Sequence, residues 1–323
     1  MGAFLAGISC LFTLWIWLAM RVCSLLPSAT EIAFALGLGD SVVGVTHECD
    51  YPPEAQKKPV VVKSAIDPHT NSSGQIDAIV NEHLQSKKSV YTIDLSRFRE
   101  ANPDVILTQE LCDVCAVDYQ EVAEAAKSLS KQPKIVSLTP SSLLDVLGDI
   151  TRVGEATGKE KEAKAFVDSL RKRIERVTNQ ASRSALRPRV ACLEWLDPLY
   201  SAGHWVPEMV ELAGGKNGLG QKGLPSVRID WRRVAESTPE VIVLMPCGFD
   251  VEQTLREVNL LYRLPGWNKL PAIKEKRVYA VDGSAYFSRS GPRLVDGLEI
   301  LAQIVHPEIF PWQASPEAAQ KLG

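Results

Sequence analysis

Short runs of apolar, β-branched residues alternate with amphipathic stretches along nearly the whole chain. Strands are predicted at Val22–Leu26, Val42–Val45, Pro59–Val62, Val105–Thr108, Ile135–Leu138, Val190–Glu194, Val241–Met245 and Val278–Val281. Helical patterns fill most of the intervals between them. This alternation predicts an α/β protein built on parallel sheets. The pattern also echoes itself. Arg21-Val22-Cys23-Ser24-Leu25-Leu26 is answered by Arg189-Val190-Ala191-Cys192-Leu193-Glu194, and Asn102-Pro103-Asp104-Val105-Ile106-Leu107 by Thr238-Pro239-Glu240-Val241-Ile242-Val243. Two parallel-sheet lobes of similar design account for the echo better than one large sheet.

A long helical stretch lies between the two halves. Pro140-Ser141-Ser142 supplies a cap and first turn, and Gly158 interrupts. From Lys159 to about Arg183 a single apolar stripe runs through Ala163, Phe166, Val167, Leu170, Ile174 and Val177. About 25 residues at a 1.5 Å rise span roughly 37 Å, enough to bridge two lobes along their back. The expected organisation is an apolar leader at 1–20, an N-terminal lobe at 21–140, a connecting helix at 141–184, a C-terminal lobe at 185–309 and a tail at 310–323. The polar segment 67–88 reads as an inserted loop and helix.

Residues 1–20 carry no charged side chain and are long enough to span a bilayer. No Lys or Arg precedes the run, and Trp17 stands where a signal cleavage site wants a small residue. Three readings stay open: an atypical signal, an anchor, or a stretch upstream of a true start at Met20. In each, the folded protein begins near Arg21.

Across the 323 residues, apolar types make up 45% and charged types 23%, which excludes disorder, collagen and coiled coil. A net charge of -3 offers no basic surface, so nucleic acid is not an expected partner. Seven cysteines, an odd number, exclude a fully paired disulfide scaffold.

In open α/β sheets, ligands bind beyond the carboxyl ends of strands. The residues that follow each predicted strand are therefore the candidates: Pro27, Ser28 and Thr30; His47, Cys49 and Tyr51; Gln109, Cys112 and Cys115; Trp195, His204 and Trp205; Cys247; and Tyr286, Phe287 and Arg289. Aromatic, His and Cys residues concentrate there and are sparse on the predicted helices. A cleft lined by aromatics with a few polar groups suits a flat organic ligand. Cys112-Asp113-Val114-Cys115 is a lone CxxC, and a zinc site would need further ligands such as Cys49, His47, His204 or Cys247. Glu110 and Asp113 flank the pair and would raise rather than lower a thiol pKa. There is no GxSxG, HExxH or P-loop pattern, so the hydrolase and nucleotide-binding readings find no support.

The segment Ser24-Leu25-Leu26-Pro27-Ser28-Ala29-Thr30-Glu31-Ile32 with Ala35-Leu36-Gly37, then Val43-Gly44-Val45-Thr46 and Asp50-Tyr51-Pro52-Pro53, resembles the cobalamin and iron-siderophore substrate-binding proteins of ABC importers. Asn102-Pro103-Asp104-Val105-Ile106-Leu107 and Arg289-Ser290-Gly291-Pro292-Arg293 extend the resemblance, which covers residues 21 to about 307 and is nearest the cobalamin-binding branch. It implies two α/β lobes joined by a rigid helix, with the ligand held between them and little closure on binding. It implies a non-enzymatic, monomeric protein outside the cytoplasm or at the membrane. Such a protein delivers a corrinoid to a permease and its ATPase and needs no cofactor of its own. By position, Tyr51 and Arg289 resemble corrinoid-contacting residues, and Tyr286-Phe287 falls where the family places aromatics. The family's docking acids would fall near Ser96 and Arg232, neither of them acidic, with Glu100 and Glu236 nearby. A start at Met20 would instead place the protein in the cytoplasm. An iron-siderophore or haem binder of the same fold, and a thiol- or metal-dependent cytosolic protein or enzyme, are the alternatives.

Overall fold

A computed structural model describes residues 20–67, 70–86, 89–110 and 117–322. The apolar leader, apart from Met20, and the CxxC pair lie outside the described residues.

The first sheet is assembled from β1 (Val22–Ser24), β2 (Val42–Thr46), β3 (Val60–Ser64), β4 (Tyr91–Ile93), β5 (Val105–Thr108) and β6 (Lys134–Ser137), in the order β4-β3-β2-β1-β5-β6. Every residue of the central strands β1 and β5 is buried, as expected where helices cover both faces of a parallel sheet. The second sheet uses β7 (Arg189–Leu196), β8 (Leu199–Ser201), β9 (Lys216–Asn217), β10 (Val227–Arg228), β11 (Val241–Leu244), β12 (Val278–Val281) and β13 (Ala319–Leu322). Its order is β10-β8-β7-β11-β12-β13. The eight-residue β7 shares one edge between two partners. Arg189 and Val190 pair in parallel with β9, whereas Leu193 to Leu196 pair antiparallel with β8.

The expected α/β sheets are parallel-rich, with antiparallel pairs at β3/β4, β7/β8, β8/β10 and β12/β13. One feature corrects the reading from sequence. The end of the chain, assigned to a tail, supplies β13, in register with β12 from Val278↔Leu322 to Val281↔Ala319.

The connection between the sheets is two helices. Leu143–Thr157 starts at a capping box formed by Ser142 and Asp145, and Gly158, at φ 69°, ends it in the left-handed conformation that suits glycine. Glu160–Ala181 follows at once and buries Ala163, Val167, Leu170 and Val177, while Phe166 and Ile174 are only partly covered. On the C-terminal side Arg173 ties this helix to Asp296 and Glu299 of the helix Leu294–Val305, reaching Glu299 at 2.7 Å. One apolar core runs without interruption from Val22 and Ile32 through Leu147 and Leu170 to Met209 and Leu298. The helix pair is therefore part of the core of both halves. No helix among the described residues is long and apolar enough to cross a membrane.

Candidate functional site

In the first sheet the chain runs from β1 to β2 on one side and returns to β5 on the other. In the second, β7 and β11 flank the equivalent reversal. Crevices open at the carboxyl ends of strands beside such reversals. A solvent-open cavity of about 420 Å³ lies there, lined from both halves. Leu26, Pro27 and Ser28 follow β1, and Gln109 follows β5. Glu194 and Trp195 come from the end of β7, Cys247 and Gly248 follow β11, and Ser288, Arg289 and Ser290 come from the loop after β12.

A helix from the inserted segment supplies another wall. Ser73–Gln85 starts at a Ser72/Gln75 capping box. Its Ile76, Val80 and Leu84, spaced i, i+4, i+8, form one ridge facing the cavity. The same helix reaches across to the second half, where Glu257 Oε1 accepts from Ser73 N at 2.7 Å. A carboxylate at a helix N-terminus also complements the macrodipole. Tyr91 and Tyr200 complete an aromatic and aliphatic lining around Trp195, whose ring rests against Phe249 at 5.3 Å.

Charged groups cross between the halves behind the cavity. Arg289 holds Asp50 with both terminal nitrogens, one of them 3.0 Å from Oδ2, and donates to the Glu48 carbonyl at 3.2 Å. Arg293 donates to Glu31 Oε1 at 2.6 Å and lies over the Tyr51 ring at 4.3 Å. Burial pushes the Glu31 carboxyl up, opposed by Arg293 and Arg289. Glu194 is likewise raised by burial, and Ser226 Oγ donates to it at 2.8 Å.

The structure brings some of the sequence candidates together and separates others. Pro27, Ser28, Gln109, Trp195, Cys247 and Arg289 lie on the cavity wall. Thr30 does not: it is fully buried and its hydroxyl donates to Ser24 Oγ at 2.8 Å. Trp205 and Phe287 also belong to the core, 4% and 2% exposed, with Trp205 Nε1 donating to the Phe287 carbonyl at 2.7 Å. His204 stacks on Trp205 at 5.4 Å, and burial lowers its pKa. His47 sits 3.6 Å from Glu48 Oε1, off the wall. Tyr51 and Tyr286 lie against Arg293, 4.3 and 5.7 Å from ring centroid to guanidinium carbon, rather than on the cavity wall. Cys49 is buried, with its sulfur 3.0 Å from Thr30 Oγ1, far from a metal-ligand arrangement. No group of three or more His, Cys, Asp or Glu able to hold a metal occurs among the described residues. Cys112 and Cys115 lie outside the described residues.

Glu194 ends a predicted strand and Tyr200 follows it, so the strand-end rule reaches both wall residues without singling either out as a ligand contact; it does not reach Tyr91 or the Ile76-Val80-Leu84 ridge. The helical spacing of that ridge was visible, but which way it faces was not.

A family model described as "Periplasmic binding protein" matches residues 22–285. An uncharacterized ABC transporter substrate-binding lipoprotein of Bacillus subtilis, YvrC, is 28% identical over 298 residues, covering 90% of this chain and 81% of its own. A vitamin B12-binding protein of Photorhabdus laumondii is 24% identical over 287 residues, 88% of this chain and 87% of its own. A periplasmic heme binding protein of Pseudomonas aeruginosa shares the fold at a TM-score of 0.70 and 18% identity, over 94% of this chain and 99% of that one. With a match that runs through both sheets and the helices between them, the chain belongs to the periplasmic binding protein family of ABC importers.

Proposed function

We propose that this protein binds cobalamin or a related corrinoid, without catalysing a reaction, and delivers it to the permease and ATPase of an ABC importer from outside the cytoplasmic membrane. The observation that carries the reading is the composition of the cavity wall. Trp195, Tyr91, Tyr200 and the Ile76-Val80-Leu84 ridge present apolar surface from both sides. Covering a macrocycle face with such groups is worth roughly 25 cal/mol per Å² of apolar area. Ser28, Gln109 and Arg289 add polar groups to the wall. The vitamin B12-binding relative, aligned over most of both chains, supports the same ligand class.

The haem-binding protein of similar fold makes haem the second reading. Calorimetric and visible-spectrum titration of the purified protein with cyanocobalamin, hydroxocobalamin and haemin decides between them. Stoichiometric corrinoid binding at micromolar affinity or better, about -8 kcal/mol, is the expected result. Binding of haemin alone would overturn the corrinoid reading. A spectrum perturbed only with hydroxocobalamin would identify a protein ligand on cobalt.

A further inference from the structure

The charged lining of the cavity is unbalanced. Among the described lining residues, Glu48, Asp77 and Glu194 stand on the wall against one guanidinium, Arg289, with no lysine or histidine beside them. Arg289 is already engaged by Asp50 and by the Glu48 carbonyl, and Glu31 Oε1 is 3.7 Å away. Its charge is matched from behind the cavity. Asp77 accepts from Asn81 Nδ2 at 2.9 Å on the same helix.

Glu194 is the most constrained of the three acids. Gly203 N donates to Ser226 Oγ at 3.1 Å, and Ser226 Oγ donates to Glu194 Oε1 at 2.8 Å. This relay fixes the carboxyl at the end of β7, beside Trp195 on the cavity wall. Burial raises the Glu194 carboxyl, and a ligand N–H group favours its ionised form, which is an acceptor only and is opposed by a second carboxylate. A ligand carboxylate entering beside it would find three acids among the described lining residues and a cation already shared among others.

We propose that the cleft selects ligands whose rim carries amide or cationic N–H groups and rejects carboxylate-bearing ones, with Glu194 as the residue that makes the distinction. This inference rests on the reading of the cleft as a site for a macrocyclic chelate. It adds which peripheral chemistry the cleft accepts and which residue reads it.

The test uses two scaffolds, each in an amide and an acid form. The pairs are cyanocobalamin against its monocarboxylic acid, obtained by hydrolysing one peripheral amide, and haemin with both propionates amidated against haemin itself. In whichever scaffold binds, the amide form is expected to bind at least about tenfold more tightly, the scale of a hydrogen bond to a charged group. Glu194→Gln, nearly isosteric, is expected to bring the two forms to within about threefold, with far-UV circular dichroism and thermal midpoint confirming that it folds. Asp77→Asn, on a different element, is expected to narrow the ratio less. Equal or tighter binding of the acid forms overturns the proposal. An unchanged ratio in Glu194→Gln removes Glu194 from it. Binding of the amidated porphyrin with no corrinoid binding would sink the corrinoid reading and leave the charge selection standing. No binding of any of the four overturns both.

Discussion

The guanidinium of Arg293 and the carboxylate of Glu31 meet at 2.6 Å across the two halves of the molecule, with side chains 14% and 2% exposed. A buried ion pair is weak evidence for net stability, but breaking one by removing a partner leaves an uncompensated charge. Arg293→Ala is therefore expected to cost about 3 kcal/mol in urea unfolding at pH 8. The cost should shrink at lower pH. Burial already raises the Glu31 carboxyl, and loss of Arg293 raises it further. A raised carboxyl favours the folded state below its unfolded value, and that contribution disappears as pH rises through the folded value. The variant should thus lose stability as pH rises above the ordinary carboxyl range. A cost that does not depend on pH would contradict this account.

Asp149, on the helix Leu143–Thr157, is 1% exposed, and neither of its oxygens accepts a hydrogen bond. Arg152 NH1 stands 3.1 Å away. Burial pushes the carboxyl up to about 7. Its folded pKa exceeds its unfolded one, so its favourable contribution is complete in acid and is lost as pH rises toward 7. Asp149→Asn should raise stability by about 2 kcal/mol more at pH 8 than at pH 5. Chemical denaturation at the two pH values checks this, and equal effects at both would refute it.

Trp195 is the one tryptophan among the described residues of the cavity wall. Trp195→Ala should weaken cyanocobalamin binding by ten- to hundredfold, about 1.5–3 kcal/mol of lost apolar burial. Isothermal titration measures it. A change of less than twofold would place the macrocycle elsewhere.

Leu84 separates binding from folding, because it lines the cavity yet is 50% exposed. Leu84→Asp should leave the thermal midpoint within a few degrees of the parent while lowering cyanocobalamin affinity by about five- to tenfold. An unaltered affinity would remove the inserted helix from the binding surface.

The strands with every residue buried, such as β5 and β11, were legible because their apolar runs stand out from their surroundings. Tyr91-Thr92-Ile93, Leu199-Tyr200-Ser201 and Ala319-Gln320-Lys321-Leu322 were not. They are short and mixed, and become strands because β3, β7 and β12 offer them an edge. The strand-end rule drew attention to Pro27, Gln109, Trp195 and Arg289, which the structure places on the cavity wall. It could not distinguish a cleft aromatic from a core one. Trp195 and Trp205 follow the same strand, yet only Trp205 is sealed in the core, by its bond to the Phe287 carbonyl. Arg289 and Arg293 were equally ambiguous. Their acids lie more than 230 residues away in the chain, and only the folded arrangement shows that they join the two halves.

The antiparallel pairing of β13 with β12 also bears on aggregation. Without it, the backbone N–H and C=O groups from Val278 to Val281 would form an open edge of a highly apolar strand, a template for another chain. Ala319–Leu322 occupies that template first, and Lys321 brings a charge to the strand that covers it. Deleting residues 319–322 should therefore show itself less as lost ligand affinity than as concentration-dependent self-association, visible by light scattering.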